Sequence, residues 1–381
     1  MNGRVYLDCN ATAPIRPEAA KAVLRALEVG GNPSSVHSSG RAARAVLEQA
    51  REAVAALVGV RPSDVVFTSG GSEANALALA SSLRGGARRL IVGATEHPSV
   101  MEAAGASGLP VEHWPVGPDG VADLGWLAER LSRWNTADGV PFVALMLANN
   151  ETGVIQPIRA AADLIHEAGG RLHVDAVQAA GRMEIDMGEL GADTLALSAH
   201  KLGGPQGCGA LMVGCDVEIS RTAFGGGQER GRRGGTENLS GIAGFGAAAL
   251  LARSETAGFQ AAWRDAAAER LKREADVVVL GEVAPRLSNT LCFAAAGYAS
   301  DVQVMAMDLA GIMVSAGSAC SSGKVKSSHV ASAMLGEALA GCVLRVSGGW
   351  CSQESDWRRF ADAWLQAYAR HAARARPLVE A

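Results

Sequence analysis

Segments that read as β-strands alternate with segments of helical periodicity along most of this chain. The apolar runs at 65–68, 90–93 and 142–147 are short and end in polar or glycine residues, which is typical of buried strands. The stretch 40–58 instead repeats apolar residues at the spacing of one helix face. Because strands that are separated by helices usually pair in parallel, the alternation predicts an α/β fold with a largely parallel sheet.

Size and charge narrow the class of protein. The 381 residues, 48% of them hydrophobic, suffice for one large domain with a smaller one beside it. A formal net charge of −4 favours neither a nucleic-acid partner nor a membrane surface. No apolar run approaches the roughly 20 residues of a membrane span, and residues 1–8 lack the apolar core of a signal peptide. We therefore expect a cytoplasmic protein.

The seven cysteines are scattered without a C-x-x-C pair. This argues for a reducing compartment and against both a disulfide framework and a structural zinc site, so no metal is expected. The cysteines that we expect to be buried and inert, because their contexts are apolar or strand-like, are Cys208, Cys215, Cys292 and Cys342. For Cys9 and Cys351, the sequence does not decide between an inert and a reactive thiol.

A lysine follows directly on one strand candidate. Residues 194–197 are apolar, Lys201 follows within Ser-Ala-His-Lys-Leu-Gly-Gly-Pro, and 209–213 reads as the next strand. An amine at a strand end is partly shielded from water, which lowers its pKa and frees it for a Schiff base. A surface lysine in a loop is the alternative, and for an isolated lysine it is the better one.

Asp175 closes the preceding strand candidate, in Arg-Leu-His-Val-Asp-Ala-Val-Gln. A carboxylate at the carboxyl end of a strand points into the crevice where open α/β sheets bind ligands. Pyridoxal phosphate requires a lysine for its aldehyde and an acid for its pyridine nitrogen. Asp175 and Lys201, at the ends of neighbouring strands, would supply both groups, and together they indicate this cofactor.

The same two segments resemble a known family. His-Val-Asp-Ala-Val-Gln followed by Ser-Ala-His-Lys and Gly-Pro resembles the class V aminotransferase superfamily, and more narrowly the cysteine desulfurases of the NifS and IscS type. The resemblance extends from Tyr6 to about Trp364. It implies a fold-type I pyridoxal phosphate enzyme with a mostly parallel seven-stranded sheet in a large domain, 16–255. A small α+β domain, 256–381, and an N-terminal lead-in that joins it, 1–15, complete the implied organisation.

The resemblance also implies roles around the cofactor ring and the substrate. Lys201 would bind the cofactor and move the substrate Cα proton, Asp175 would hold the ring nitrogen protonated, and Gln178 would bond the ring oxygen. His97, in Thr-Glu-His, would stack on the ring and move protons, which suits an imidazole near neutral pH. Two further residues have implied roles: Asn150 in the cofactor and substrate site, and Arg345 on the substrate carboxylate. Read without the family, His97 is structural, Asn150 caps a turn and Arg345 forms a surface ion pair.

The cofactor phosphate has its own implied set of residues. Gly71 and Ser72 stand at a glycine-rich turn between a strand and a helix, where backbone N–H groups and the helix dipole favour an anion. An ordinary tight turn is the alternative there. The resemblance adds Ser198 and His200, and it makes the loop 224–238 a clamp whose Thr236 contacts the phosphate of the partner subunit. A homodimer is therefore expected.

Cys320 lies in Ala-Gly-Ser-Ala-Cys-Ser-Ser-Gly-Lys, where small residues surround one thiol. Such a segment suits a cysteine that must reach a substrate and withdraw. In the family, the nucleophilic cysteine stands in this pattern, and this longer small-residue version is that of the NifS and IscS subgroup.

The implied reaction converts L-cysteine to L-alanine and leaves the sulfur as a persulfide on Cys320. A sulfur-acceptor protein such as an iron–sulfur scaffold would then be the partner, although the sequence does not identify which one. The alternatives are a selenocysteine lyase or an aminotransferase on the same scaffold, or a persulfide carrier without catalysis. The chain also departs from the family pattern at Gly203 and Gln206, beside the lysine, and at Cys9, Ala13 and Ser327.

Overall fold

The computed structural model describes residues 4–255, 258–317 and 327–375. Its strands are β1 (Val5–Tyr6), β2 (Val65–Thr68), β3 (Leu90–Gly93), β4 (Val111–Trp114), β5 (Phe142–Ala144), β6 (Arg171–Asp175), β7 (Thr194–Ser198), β8 (Gly209–Val213), β9 (Val278–Val279), β10 (Thr290–Ala294), β11 (Ile312–Met313) and β12 (Val343–Ser347). Its α-helices are α1 (Pro17–Val29), α2 (Ser38–Leu57), α3 (Gly71–Ser82), α4 (Pro98–Ala106), α5 (Leu124–Ser132), α6 (Ile158–Glu167), α7 (Met187–Leu190), α8 (Leu239–Ser254), α9 (Ala261–Glu274), α10 (Ser300–Leu309), α11 (His329–Leu335), α12 (Glu337–Ala340) and α13 (Glu354–Ala375).

In the described part of the chain, seven strands form one sheet in the order β2-β8-β7-β6-β5-β3-β4. The strands from β7 to β4 pair in parallel, whereas β8 is antiparallel to both of its neighbours. The connection 199–208 contains no α-helix that could carry the chain back across the sheet, so β8 returns antiparallel to β7. The predicted α/β fold with a mostly parallel seven-stranded sheet is confirmed.

A second hydrophobic core lies apart from the large sheet. It combines β1 with residues of α9, β10, β12 and α13, and its largest buried side chains include Trp357, Phe360 and Trp364. β1 pairs with β11 in parallel, and Asp8 bridges to Ser347 beside β12. The lead-in thus packs against this second core, while the domain boundaries at 15 and 255 stay predictions.

Three sequence expectations differ from the structure. The run at 142–147 is regular strand only over Phe142–Ala144, although the N–H groups of Leu145 and Leu147 still donate to carbonyls of β6. The sequence from Asn238 to about Lys272 predicts a helical stretch, and the structure divides this stretch into α8 and α9. Of the cysteines expected to be buried, Cys215 is exposed in the turn after β8, and Cys342 is half-buried just before β12.

No helix among the described residues is long and apolar enough to cross a membrane.

Replacing Trp364 with Ala tests the second core. The indole is fully buried, packs edge-on against Phe293 at 5.0 Å between ring centroids, and donates to Gln303. We expect Trp364→Ala to lower the free energy of unfolding by about 3–5 kcal/mol, measured by urea denaturation. The control is Leu309→Ala, since Leu309 is 90% exposed and the change should stay within about 0.5 kcal/mol. Equal effects of the two changes would contradict this packing.

Candidate active site

One cleft gathers the strand ends of the large sheet. It measures about 640 Å³, its open mouth included. The residues that line it are Gly71, Ser72, Asn75, His97, Ser99, Met146, Ala148, Asn150, Asp175, Val177, Gln178, Ser198, His200 and Lys201. Nine of the residues proposed from the sequence are among them, namely Gly71, Ser72, His97, Asn150, Asp175, Gln178, Ser198, His200 and Lys201. Their shared position follows from the parallel strands, whose carboxyl ends meet at one edge of the sheet.

Lys201 lies directly after β7, and its amine reaches the lead-in. The Nζ atom donates to the main-chain oxygens of Asn10 and Ala11, at 2.6 and 2.8 Å. Burial, together with the cations of Arg182 and Arg345, lowers the pKa of the Lys201 amine to about 7. At neutral pH a large fraction of this amine is therefore uncharged and nucleophilic.

Asp175 ends β6 and is held from two sides. Asn75 Nδ2 donates to one carboxylate oxygen at 2.7 Å, and the N–H of Val177 donates to the other at 2.9 Å. The carboxylate is 6% exposed and faces the cleft that Lys201 lines. These two donors fix the orientation of an acid at the floor of the cleft.

A buried histidine orients Asn75. His173 Nε2 lies 3.0 Å from Asn75 Oδ1, and its Nδ1 lies 2.9 Å from the hydroxyl of Thr194. Complete burial lowers the pKa of His173 to about 4, so the ring is neutral and donates from Nε2 to the amide oxygen. The amide NH₂ of Asn75 is therefore turned toward Asp175.

The helix α3 begins at the wall of the cleft. Its N-cap, Gly70, supplies no side-chain hydrogen bond, and the first N–H groups of a helix have no intrahelical acceptor. A Cβ at Gly71 would lie 2.8 Å from Val177 Cγ2, which leaves room there for glycine alone. The arrangement gives the cleft an open helix N-terminus that favours an anion.

His97 lines the same cleft, and its chain neighbour Glu96 is buried. His97 is exposed, caps α4 by accepting from the N–H of Ser99 at 3.1 Å, and has a pKa that loss of solvation in the cleft lowers. Glu96 is 1% exposed, and its Oε2 has no hydrogen-bond partner among the described residues. Burial and the nearby Asp175 raise the pKa of Glu96 well above its usual value, which favours the neutral form of this carboxyl.

The side chain of Gln178 already has partners for both of its polar ends. Its Nε2 donates to the carbonyl of Asn10 at 2.9 Å, and its Oε1 accepts from Arg182. Arg182 also donates to the carbonyl of Cys9, and burial lowers its pKa to about 10. The predicted bond from Gln178 to a ring oxygen would require this amide to exchange a partner.

Arg345 lies on β12, next to the turn that carries Asn150. It donates to the carbonyl of Asn150 at 3.2 Å and forms an ion pair with Asp8 at 2.8 Å. The guanidinium is 5% exposed, and its Nε has no partner among the described residues. A buried arginine with one unused donor is suited to a second carboxylate.

Four predicted residues remain, and they fall into three cases. Ser198 and His200 line the cleft, and burial together with Lys201 lowers the pKa of His200 to about 4. Thr236 is exposed and does not line the cleft of its own chain. Cys320 lies outside the described residues.

The comparisons with known proteins agree on one family. The family model for aminotransferase class-V matches residues 5–360. A protein of Cereibacter sphaeroides named cysteine desulfurase is 42% identical over 87% of this chain and 87% of its own. A NifS-like protein from Rickettsia africae superposes with a TM-score of 0.88 at 32% identity, covering 96% of this chain and 99% of that one. A structure titled SspA in complex with cysteine gives a TM-score of 0.78 at 28% identity, over 90% and 98%.

The chain belongs to the class-V aminotransferase family. The similarity to cysteine desulfurases of the NifS and IscS type is confirmed as well, since proteins with these names match most of this chain at 32–42% identity.

The glycine at position 203 departs from the pattern of this class-V family, and its surroundings explain why. Its φ is +83°, and a Cβ there would lie 2.8 Å from Arg16 Cγ and 2.9 Å from Trp350 Nε1. The indole of Trp350 donates to the carbonyl of Pro14 and is covered by the Arg16 guanidinium. These two side chains fill the volume that a larger residue after the lysine would need.

Four residues of this class-V site escaped the sequence analysis: Asn75, Glu96, His173 and Arg182. His173 stands two residues before Asp175, so the strand period of two places both on one face, and that signal was available. Nothing in the local sequence distinguishes Asn75, Glu96 or Arg182 from ordinary helix and loop residues.

Replacing Asn75 tests the orientation of Asp175. We expect Asn75→Leu to lower the free energy of unfolding by about 1–3 kcal/mol, because a buried carboxylate and a buried imidazole each lose a partner. The measurement is urea denaturation at neutral pH. As a control, Ser99→Ala removes a partner of Asn75 but leaves its bonds to Asp175 and His173, so its effect should be smaller. A smaller loss from Asn75→Leu than from Ser99→Ala would contradict this network.

The lowered pKa of Lys201 is measurable in the protein without cofactor. Acylation consumes the uncharged amine, so labelling of Lys201 should rise with pH and reach half of its maximum near a pKa of about 7. Lys272 is the internal control, because Glu269 and Glu282 raise the pKa of its amine above the usual value. The measurement is peptide mass spectrometry after brief treatment with acetic anhydride across a pH series. Identical profiles for the two lysines would rule out the desolvated amine.

Proposed function

We propose that this chain is a pyridoxal phosphate-dependent cysteine desulfurase, which converts L-cysteine to L-alanine and carries the sulfur as a persulfide. One observation carries the proposal: a desolvated lysine amine and an oriented aspartate share one cleft at the ends of adjacent strands. The relatives named cysteine desulfurase, and the related structure titled as a complex with cysteine, support the choice of substrate.

The residues present fit pyridoxal phosphate. Lys201 offers an uncharged amine for the aldehyde, and Asp175 offers an acid for the pyridine nitrogen. Gly71 and Ser72, at the open N-terminus of α3, are placed for the phosphate, with Ser198 and His200 beside them. The bound cofactor would supply an electron sink for a negative charge that develops on the substrate Cα.

Lys201 is the base of the proposed reaction. A pKa of about 7 lets its amine take the Cα proton and return it at neutral pH, because neither protonation state is strongly favoured. The carbonyls of Asn10 and Ala11 hold the amine in the structure and would release it toward the substrate. His97, exposed at the mouth of the cleft, is placed to carry protons to and from solvent.

Arg345 is the proposed partner of the substrate carboxylate. Its ion pair with Asp8 neutralises the buried guanidinium before substrate binds, and its free Nε remains to form a further bond. Asn150 presents its carbonyl to the same guanidinium, which keeps that group beside the cleft. The carboxylate of L-cysteine would then share Arg345 with Asp8.

Cys320 is the proposed sulfur acceptor. Its thiolate attacks the sulfur of the substrate, the bond from that sulfur to carbon breaks, and the electron pair stays with the carbon, which takes a proton to give alanine. The enzyme retains the sulfur as a persulfide, and an added thiol reductant releases it as sulfide. The other candidate thiols are less suitable: Cys9 is buried and burial raises its pKa to about 12, and burial also raises the pKa of Cys351.

A homodimer and a sulfur-accepting protein are the proposed partners. The helices α1 and α8 pack together and expose Leu24, Leu27 and Leu250, while Val36 and Phe224 are more than 80% exposed in nearby connections. Exposed apolar residues of this number support a protein interface. Thr236, exposed in the loop 224–238, would reach the partner's phosphate from such an interface. An iron–sulfur scaffold remains the proposed class of acceptor.

Replacing Lys201 tests the enzymatic activity. The cofactor-loaded protein is incubated with L-cysteine and dithiothreitol, and alanine and sulfide are quantified. We expect the wild type to form both in equal amounts, and Lys201→Ala to form neither because the base is lost. Lys272→Ala, at an exposed ion pair, is the control and should match the wild type. Alanine formation by Lys201→Ala at the wild-type rate would refute the assignment, and amino transfer to a keto acid would favour the aminotransferase.

Replacing Cys320 tests the route of the sulfur. We expect Cys320→Ala to bind the cofactor with unchanged visible absorbance and to release no sulfide, since serine hydroxyls are far weaker nucleophiles. Cys215→Ala is the matched control, because Cys215 is exposed and lies away from the cleft. Sulfide release by Cys320→Ala within a few-fold of wild type would move the acceptor role to another cysteine, first to Cys351.

A further inference from the structure

Glu151 is a buried acid to which the reaction described above gives no role. It is 2% exposed and directly follows Asn150, which lines the cleft. Asn149 Oδ1 accepts from the N–H of Glu151 at 2.9 Å, so the turn that carries the carboxyl is itself fixed. Burial raises the pKa of Glu151, whereas Ser328, Arg345 and His329 lower it.

Gly317 packs against this carboxyl without a side chain. A Cβ at Gly317 would overlap Oε2 of Glu151. Gly317 does not have the left-handed backbone conformation that favours glycine, so the close approach of the acid is the reason for glycine here. Two residues earlier, Ser315 exchanges main-chain hydrogen bonds with Arg345, at 2.8 and 3.2 Å. The chain that leads into segment 318–326 is thus fixed between Arg345 and Glu151.

Ser328 binds the same oxygen of Glu151 from the other end of that segment. Its hydroxyl donates to Oε2 at 2.6 Å, and the residue is 2% exposed. The next residue, His329, donates from Nε2 to the main-chain oxygen of Glu96 at 3.0 Å. The chain that leaves segment 318–326 is therefore held on the cleft wall, beside His97.

One carboxyl group thus meets both flanks of the segment that contains Cys320. The same turn also presents the carbonyl of Asn150 to Arg345, the proposed partner of the substrate carboxylate. The adjacent residues Asn150 and Glu151 therefore contact Arg345, the cleft and both flanks of the segment 318–326.

We propose that Glu151 is a positioning residue for sulfur transfer, which sets where the segment 318–326 starts and ends relative to the cleft by binding Ser328 and packing on Gly317. The inference rests on the proposed desulfurase function. Glu151 touches neither substrate nor cofactor in this role. Its effect is on the placement of the thiol, so cofactor binding and substrate binding should be spared.

Two substitutions disturb this contact in opposite ways. Glu151→Asp withdraws the carboxyl by one methylene and leaves Ser328 without its acceptor. Gly317→Ala adds a methyl that pushes against the carboxyl. We expect each to lower kcat for alanine formation roughly tenfold to a hundredfold, since a misplacement of about 1 Å can cost two orders of magnitude. KM for L-cysteine and cofactor content should stay near the wild-type values.

The double variant tests whether the two single losses of kcat arise from one shared contact or from two independent defects. The shortened acid makes room for the added methyl, so Glu151→Asp with Gly317→Ala should be no slower than either single variant. If the two substitutions instead damaged the structure independently, the fold-losses of kcat in the single variants would multiply in the double variant. The matched controls are Glu52→Asp and Gly105→Ala, on exposed helix faces, with open space around Gly105. Both controls should keep wild-type kcat.

A second readout does not require activity. Iodoacetamide alkylation, followed by peptide mass spectrometry, gives the rate at which Cys320 reacts relative to the exposed Cys215 of the same molecule. We expect this ratio to rise severalfold in both single variants, because the flanks no longer hold the segment. If wild-type protein forms no alanine, the proposed function fails, and the alkylation ratio still decides the inference. An unchanged ratio in both variants, or losses of kcat that multiply, would overturn it.

Discussion

The chemistry of the cleft depends on the register of β6 against β7. Asp175 lies opposite Ala196 in this parallel pair, so β7 continues to Ser198 beyond the end of β6, and Lys201 follows within the next turn. A shift of one residue would turn the side chain of Asp175 to the other face of the sheet. The apolar strand residues that fix this register, Val174, Leu195 and Leu197, are completely buried, so the packing of the core sets the spacing of acid and amine.

Because the site is buried, the charges of its side chains are a second constraint on its structure. A buried ion is tolerated only with partners, and the described charges have them: Arg345 has Asp8, Arg182 has the carbonyls of Cys9 and Gln178, and Asp175 has Asn75. Lys201 and Arg182 donate only to neutral acceptors, and burial together with the nearby Arg345 lowers the pKa of both groups.

The sequence predicted the strand ends well, because an apolar run followed by a polar residue defines both a strand and its carboxyl end. Lys201, Asp175 and Gly71 were found in this way, and the structure brings them to one cleft. The supporting contacts were not predictable, since they join residues far apart in the chain. Asn75 reaches Asp175 across 100 positions, and Ser328 reaches Glu151 across 177. The requirement for glycine at Gly203 likewise depends on Arg16 and Trp350, which local sequence does not place nearby.

The pairing of the lead-in has a consequence for how the protein reaches its native state during synthesis. Val5 and Tyr6 pair with Ile312 and Met313, and Asp8 bridges to Ser347, so these contacts join segments that are synthesised far apart in time. Contacts of such sequence separation form slowly, because a long loop must close before they contribute. The seven strands of the large sheet pair with one another without any of these long-range contacts. The lead-in, which also supplies the acceptors of the Lys201 amine at Asn10 and Ala11, therefore completes its strand pairing only after β11 and β12 have been synthesised.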